Sequence, residues 1–222
     1  MPRISAASNA AQRENTKRAI LDSFGRLLYE RGLPGLTMTH VAKTAGIGRT
    51  AVYNYFADMG ELLIAYALDE TGRFLTDLRS ALEGVENPID RLAIYVRLQI
   101  EDLSRRHMPP GPAMRSVLSP EAFAKLGDHV RELQMVLADI LSAAIEQGYL
   151  PQNDIRELAQ LVHGSLSSSA DRTDDAESHE ARERHIESTI RFIQMGLGAR
   201  FDAEGRPVPL AETPHLYLAE AS

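Results

Sequence analysis

The run Arg49-Thr50-Ala51-Val52-Tyr53-Asn54-Tyr55-Phe56 combines a guanidinium, a hydroxyl, a carboxamide and two phenols around a narrow apolar edge. Wound as a helix, it places Val52 and Phe56 four apart on one side and turns Arg49, Thr50, Tyr53 and Tyr55 away from them. A polar second helix, joined to a short first helix by a tight turn, is the shape that lays side chains into a DNA major groove. The chemistry on offer is hydrogen bonding and apolar contact to nucleic acid, with no bond made or broken.

The flanking residues supply what such a pair needs. Thr37 is a good N-cap for the first helix, and Leu36 before it can staple onto Val41. Val41 and Ala45 share a face, and small Ala42 beside them lets a second helix approach. Gly46 can end the helix in a left-handed conformation, and Ile47 plugs the turn. Upstream, Ile20, Phe24, Leu27 and Leu28 recur at helical spacing and predict a helix from about Asn15 to Arg31, stopped by Gly32 and Pro34. Downstream, Asp58 with Glu61 three residues on reads as a capping box that starts a helix reaching Leu82. Glycine-linked helix pairs occur in many all-α proteins that never touch nucleic acid. It is the sum of cap, staple, small residue, turn glycine and polar face that carries the assignment.

Charge supports a one-ended DNA binder. The chain of 222 residues has net charge −7, yet residues 1–60 hold eight Lys and Arg against four acids, so a basic head precedes an acidic body. With no cysteine, disulfides, thiolate metal sites and cysteine nucleophiles are excluded. No apolar run approaches a membrane span, and the N-terminus lacks the apolar core of a signal peptide, so a cytoplasmic protein is expected.

The remainder reads as helices. One is expected from Ile89 to about Arg106, after a break at Gly84 and Asn87-Pro88. The segment HMPPGPAMRSVLSP predicts a loop. A helix bearing Phe123 and Leu126 should lead into a second, long amphipathic one that ends at Gly148. Asp154 caps the next, Ser167 to Asp175 reads as a polar loop, and a last helix is expected from about His179 to Leu197. The whole is all-α, about nine helices, with no strand-like alternation. The expected division is a disordered arm over residues 1–12, a helix-turn-helix domain over 13–58, a helical body over 59–198 and a poorly ordered tail over 199–222.

The pattern T-x-T-x-x-A-x-x-A-G-I-x-x-x-x-x-Y-x-Y-F followed by E-L-L, within Thr16 to Tyr66, resembles the N-terminal domain of TetR-type transcriptional regulators. The resemblance implies a three-helix helix-turn-helix domain on a C-terminal helical domain for ligand binding and dimerisation. It also implies that Arg49, Thr50 and Tyr53 face base edges or thymine methyls, while Thr37, Thr39 and Tyr55 reach phosphates. It implies a homodimer formed by the last two long helices, with Leu161, Ser165, Leu166, Ile186, Ile190 and Ile193 at the interface. One departure stands out: Met59 occupies a position where the family often has a phosphate-gripping lysine.

For a ligand pocket, methionine, aromatic and isolated polar residues on apolar faces single out Tyr66, Tyr95, Gln99, Met114, Phe123, Met135 and His163, and more loosely Phe74 and Met108. Such residues at helical spacing are more often plain core. No two histidines pair at i, i+4, H-E-x-x-H is absent, and there is neither a phosphate loop nor G-x-S-x-G. No metal, cofactor or enzymatic activity is expected. The reading is a regulator of double-stranded operator DNA, a repressor released from a palindromic site by a small apolar molecule. The alternatives are a constitutive DNA-binding regulator whose body docks a protein, and a helical enzyme that retains a DNA-binding head.

Overall fold

The computed structural model describes residues 6–105, 114, 118–170 and 178–210. Its helices are α1 (Ala6–Arg31), α2 (Met38–Thr44), α3 (Arg49–Tyr53), α4 (Met59–Leu82), α5 (Pro88–Arg105), α6 (Pro120–Glu146), α7 (Ile155–Ala170) and α8 (His179–Gly196). The chain is all-α in architecture, and among the described residues none of these helices is long and apolar enough to cross a membrane. Packing divides it into two compact units, one of residues 1–77 with 102–133, the other of residues 78–101 with 134–222.

In the first unit, the α1 residues Ile20, Phe24, Leu27 and Leu28 are buried, joined by Val41 and Ala42 of α2, Val52 of α3, Phe56, and Leu62 and Leu63 of α4. Each of these side chains larger than alanine contributes about 1.5–3 kcal/mol when withdrawn from water, so this small domain is held by apolar burial. Gly32 ends α1 at φ 69°. The start of α4 carries the expected box in altered form: Asp58 Oδ1 accepts from Glu61 N at 2.8 Å, while the Glu61 carboxylate takes the Ala57 N–H at 2.6 Å. The satisfied amide is thus one residue earlier than in the usual capping box.

The second unit has its own core, with Tyr95 and Val96 on α5, Leu137, Ile140 and Leu141 on α6, Val162 and Leu166 on α7, and Ile186, Ile190 and Ile193 on α8. Asn87 Oδ1 caps α5 through Ile89 N, and Asp154 Oδ1 caps α7 through Arg156 N. Polar links run from α5 to α8. Arg97 bonds Glu183 at 2.8 Å and also pairs with Glu187, and Gln194 Nε2 donates to Ile89 O at 3.1 Å.

Several boundaries differ from expectation. Helix α1 begins at Ala6, so residues 6–12 extend the helix where a disordered arm was expected; their small and polar residues do not oppose helix continuation once a stable turn exists downstream. The two helices expected around Phe123 and Ile140 are one continuous α6, because the intervening stretch holds Gly127 but no proline. Helix α7 runs on through Ser167 to Ala170, with Ser165 Oγ and Ser167 Oγ donating back to the carbonyls of Leu161 and His163. The tail is not featureless. Arg200–Phe201 and Pro207–Val208 pair as a two-stranded antiparallel hairpin, clasped by Arg191 over the Phe201 ring at 3.9 Å. The HMPPGPAMRSVLSP loop falls mostly outside the described residues, as does Met108.

Candidate DNA-binding surface

The first helix of the pair is capped as its sequence requires, with Thr37 extended at φ −131° and its hydroxyl accepting from His40 N at 3.3 Å. Ala45 closes α2, and Gly46 follows at φ 68°. Ile47 N then bonds Ala42 O at 3.0 Å, which turns the chain so that Ile47 packs on the core. A residue with a β-carbon at position 46 would be strained by its backbone alone.

Helix α3 is shorter than its sequence suggests, five residues rather than eight, with Asn54 as its C-cap. Tyr55 N and Phe56 N still bond Val52 O at 2.9 and 3.0 Å, so the last turn tightens but the chain keeps its direction. Val52 is fully buried and Phe56 nearly so. Anchored by those two, α3 turns Arg49 and Thr50 to solvent and leaves Tyr53 42% exposed. The Arg49 guanidinium stands over the Tyr53 ring at 5.9 Å, a cation–π contact that limits its wandering while leaving its N–H donors free.

Thr37, at the N-cap of α2, and Thr39, within it, are exposed. Five of the six expected DNA-facing side chains, Thr37, Thr39, Arg49, Thr50 and Tyr53, are therefore open to solvent. Tyr55 differs. It is half-buried against the core and lies beneath Arg13 of α1, whose guanidinium is 5.4 Å from the ring centroid. Met59 also packs partly on that core. Arg13 is not one of the six residues named for DNA contact, although it sits seven and eleven residues before Ile20 and Phe24, on the same stripe of α1.

The seven residues expected around a ligand are shared between the two units. Tyr66 is buried in the first unit's core, edge-on to Phe24 with centroids 5.5 Å apart, and Met114 and Phe123 pack on the same core. Met135 is 59% exposed and lines no core in the second unit. The remaining three form a hydrogen-bonded chain in that unit: Gln99 Nε2 donates to the Tyr95 hydroxyl at 3.4 Å, the hydroxyl meets His163 Nε2 at 3.2 Å, and His163 Nδ1 meets Ala159 O at 2.8 Å. A carbonyl can only accept, so Nδ1 carries a proton and, in the neutral ring, Nε2 accepts from the tyrosine. Burial pushes the Tyr95 phenol well above its usual range, opposed in part by the Gln99 hydrogen bond. The phenol stays protonated and serves as the hinge of the chain.

The expected interface on the last two helices is also redrawn. Leu166, Ile186, Ile190 and Ile193 are buried within the chain, where they join α7 to α8 and are unavailable to a partner. Ser165 is half-buried, and Leu161 is 61% exposed. The apolar groups on the open face are Leu161, Phe192 and Met195, the last two 69% and 61% exposed. The regular isoleucine stripe points inward. Large apolar residues off that stripe were the signal for the outer face.

With this geometry in view, similarity to known proteins is specific at the N-terminus. Residues 20–66 match the family described as bacterial regulatory proteins, tetR family. A helix-turn-helix-type transcriptional regulator of Haemophilus influenzae is 39% identical over 74 residues, covering 33% of this chain and 36% of that protein. The transcriptional repressor KstR2 of Mycobacterium tuberculosis is 26% identical over 156 residues, covering 66% of this chain and 75% of the repressor. Among solved structures, the regulator FadR of Bacillus subtilis, in complex with stearoyl-CoA, superposes with TM-score 0.68 at 17% identity, over 81% of this chain and 98% of FadR. The match to the H. influenzae protein spans about a third of its length, whereas the fold-level likeness to FadR runs nearly end to end. Over residues 20–66, which end within α4, this chain therefore carries the helix-turn-helix domain of bacterial regulatory proteins of the tetR family.

Proposed function

We propose that the chain acts as a homodimeric repressor that binds a near-palindromic operator through α3 and is released by a small apolar ligand held in the helical body. The observation that carries the DNA-binding part is the exposure of Arg49, Thr50 and Tyr53 on a helix fixed from beneath by Val52 and Phe56. An arginine fork suits guanine O6 and N7, and a threonine methyl suits thymine. In this reading Thr37 and Thr39 meet phosphates, and Tyr55 contributes through its own hydroxyl or through Arg13. The open face of Leu161, Phe192 and Met195 is the surface offered for a two-fold dimer, which would set two α3 helices about 34–36 Å apart on one side of a duplex.

Support for repression and for an apolar effector comes from relatives: KstR2 is a repressor, and the FadR structure holds an acyl thioester. Within this chain, Tyr95, Gln99 and His163 offer hydrogen-bonding groups on otherwise apolar helix faces, suited to orienting a ligand. Such a ligand lowers operator affinity only by its preference for the body conformation that binds DNA poorly. Selection of bound duplexes from a random-sequence pool tests the reading. Two half-sites related by two-fold symmetry are expected, and failure to enrich any sequence overturns it. Titration of the selected complex with acyl thioesters, stearoyl-CoA among them, should release the duplex. Retention in the presence of every member of the panel favours the alternative in which the body docks a protein.

A further inference from the structure

Arg13 continues the core stripe of α1 beyond the end of the core. From Ile20 and Phe24 the stripe runs back seven and eleven residues to position 13, within about 20° of the same direction at 100° per residue. At that height the side chain is exposed. It rests on the Tyr55 ring, 5.4 Å from the centroid. Tyr55 is itself held, half-buried on the core and bonded through its amide to Val52 O at 2.9 Å. The ring is therefore a fixed platform beside the exposed helix α3.

A cation–π contact through the ring face leaves the N–H donors of the guanidinium unspent. Among the described residues no carboxylate takes them; the α1 ion pair of this unit is Arg18 with Asp69, on another side of the helix. The same pairing of arginine over tyrosine recurs in α3 at Arg49 and Tyr53. Lys17, one turn further along α1 from Arg13, is exposed as well. A held, unpaired, planar cation is well matched to a phosphate, which accepts two parallel N–H donors.

We propose that Arg13, held over the ring of Tyr55, is a contact to a backbone phosphate of duplex DNA, so that the N-terminal part of α1 belongs to the DNA-binding surface. The proposal rests on the DNA-binding reading above and extends it to an element outside the helix-turn-helix.

A phosphate contact is independent of sequence, so no operator is needed to test it. Binding of the full-length protein to a labelled random-sequence duplex of about 30 base pairs would be followed by fluorescence anisotropy from about 50 to 200 mM salt. Arg13→Gln should weaken binding and reduce the steepness of the log–log salt dependence by about one. Arg184→Gln, which removes an exposed charge on α8, should leave the slope at its wild-type value. The ring of Tyr55 is the platform on which Arg13 rests. Tyr55→Leu removes it, after which Arg13→Gln should produce little further change; thermal melting establishes that this variant folds. A wild-type slope in Arg13→Gln overturns the phosphate contact while leaving α3 recognition intact. Absence of salt-dependent binding by the wild type overturns the DNA-binding reading itself.

Discussion

The ring of Tyr66 lies so close to Gly25 that a β-carbon at residue 25 would stand 2.8 Å from its Cε2 and 2.9 Å from its hydroxyl oxygen. That approach locks the first turns of α4 onto α1, with Phe24 holding the same ring edge-on. A displacement of α4 is then a displacement of the helix-turn-helix domain, which is the mechanical requirement for any signal travelling along this helix.

Gly25→Ala should accordingly cost stability, because Tyr66 is buried and a rigid ring cannot yield like the end of a flexible chain. Overpacking of this kind costs about 1–3 kcal/mol. A lower urea midpoint with unchanged slope is the expected result, and a wild-type midpoint would mean that the α1–α4 contact is loose.

The Tyr95 chain offers a second test. Tyr95→Phe leaves Gln99 Nε2 and His163 Nε2 without their shared partner in a buried setting. The expected loss is about 1–3 kcal/mol of folding free energy, read from denaturant unfolding. Stability equal to wild type would show that both groups find other partners.

Arg97 ties α5 to α8, and its hydrogen bond, reinforced by its charge, holds Glu183 below the ordinary carboxylate range. A carboxylate depressed in the folded state favours folding most where it is ionised in both states, and the unfolded chain takes up the proton first as pH falls. The contribution is therefore full above the ordinary carboxylate pKa of about 4 and is lost below it. Arg97→Gln should lower the melting temperature at neutral pH, with the gap from wild type closing as pH falls toward about 3. A gap that is constant with pH would assign the loss to packing alone.

Phe192→Asp places a charge on the open face of α8 without touching Ile190 or Ile193 beneath it. The variant should stay folded and run as a monomer in light scattering, while Ile190→Ala, a buried change, should destabilise the fold by about 2–5 kcal/mol. A Phe192→Asp variant that remains dimeric would remove this face from the interface.

The legibility of this chain was uneven for physical reasons. The turn glycine, the Thr37 cap, Val52 and Phe56 announce the helix-turn-helix locally, because each residue type answers a backbone or packing need within a few positions. The Asp154 cap and the Gly148 stop were readable for the same reason. The long-range outcomes were not. Isoleucine spacing on α8 shows that a stripe is buried, but not whether the neighbouring chain or α7 buries it. Tyr66 and Met135 carry the residue types of a pocket, yet one is core and the other open to solvent. Arg13 did not stand out because nothing local reveals that Tyr55 waits beneath it.

The central claim is that α3 reads base edges with Arg49, Thr50 and Tyr53. The most direct measurement is the affinity of Arg49→Ala for the duplex selected by the wild type and for single-base-pair variants of it. A loss of about 1–3 kcal/mol, with preference relaxed at one base-pair position in each half-site, is the predicted result. Unchanged affinity and unchanged preference would contradict it.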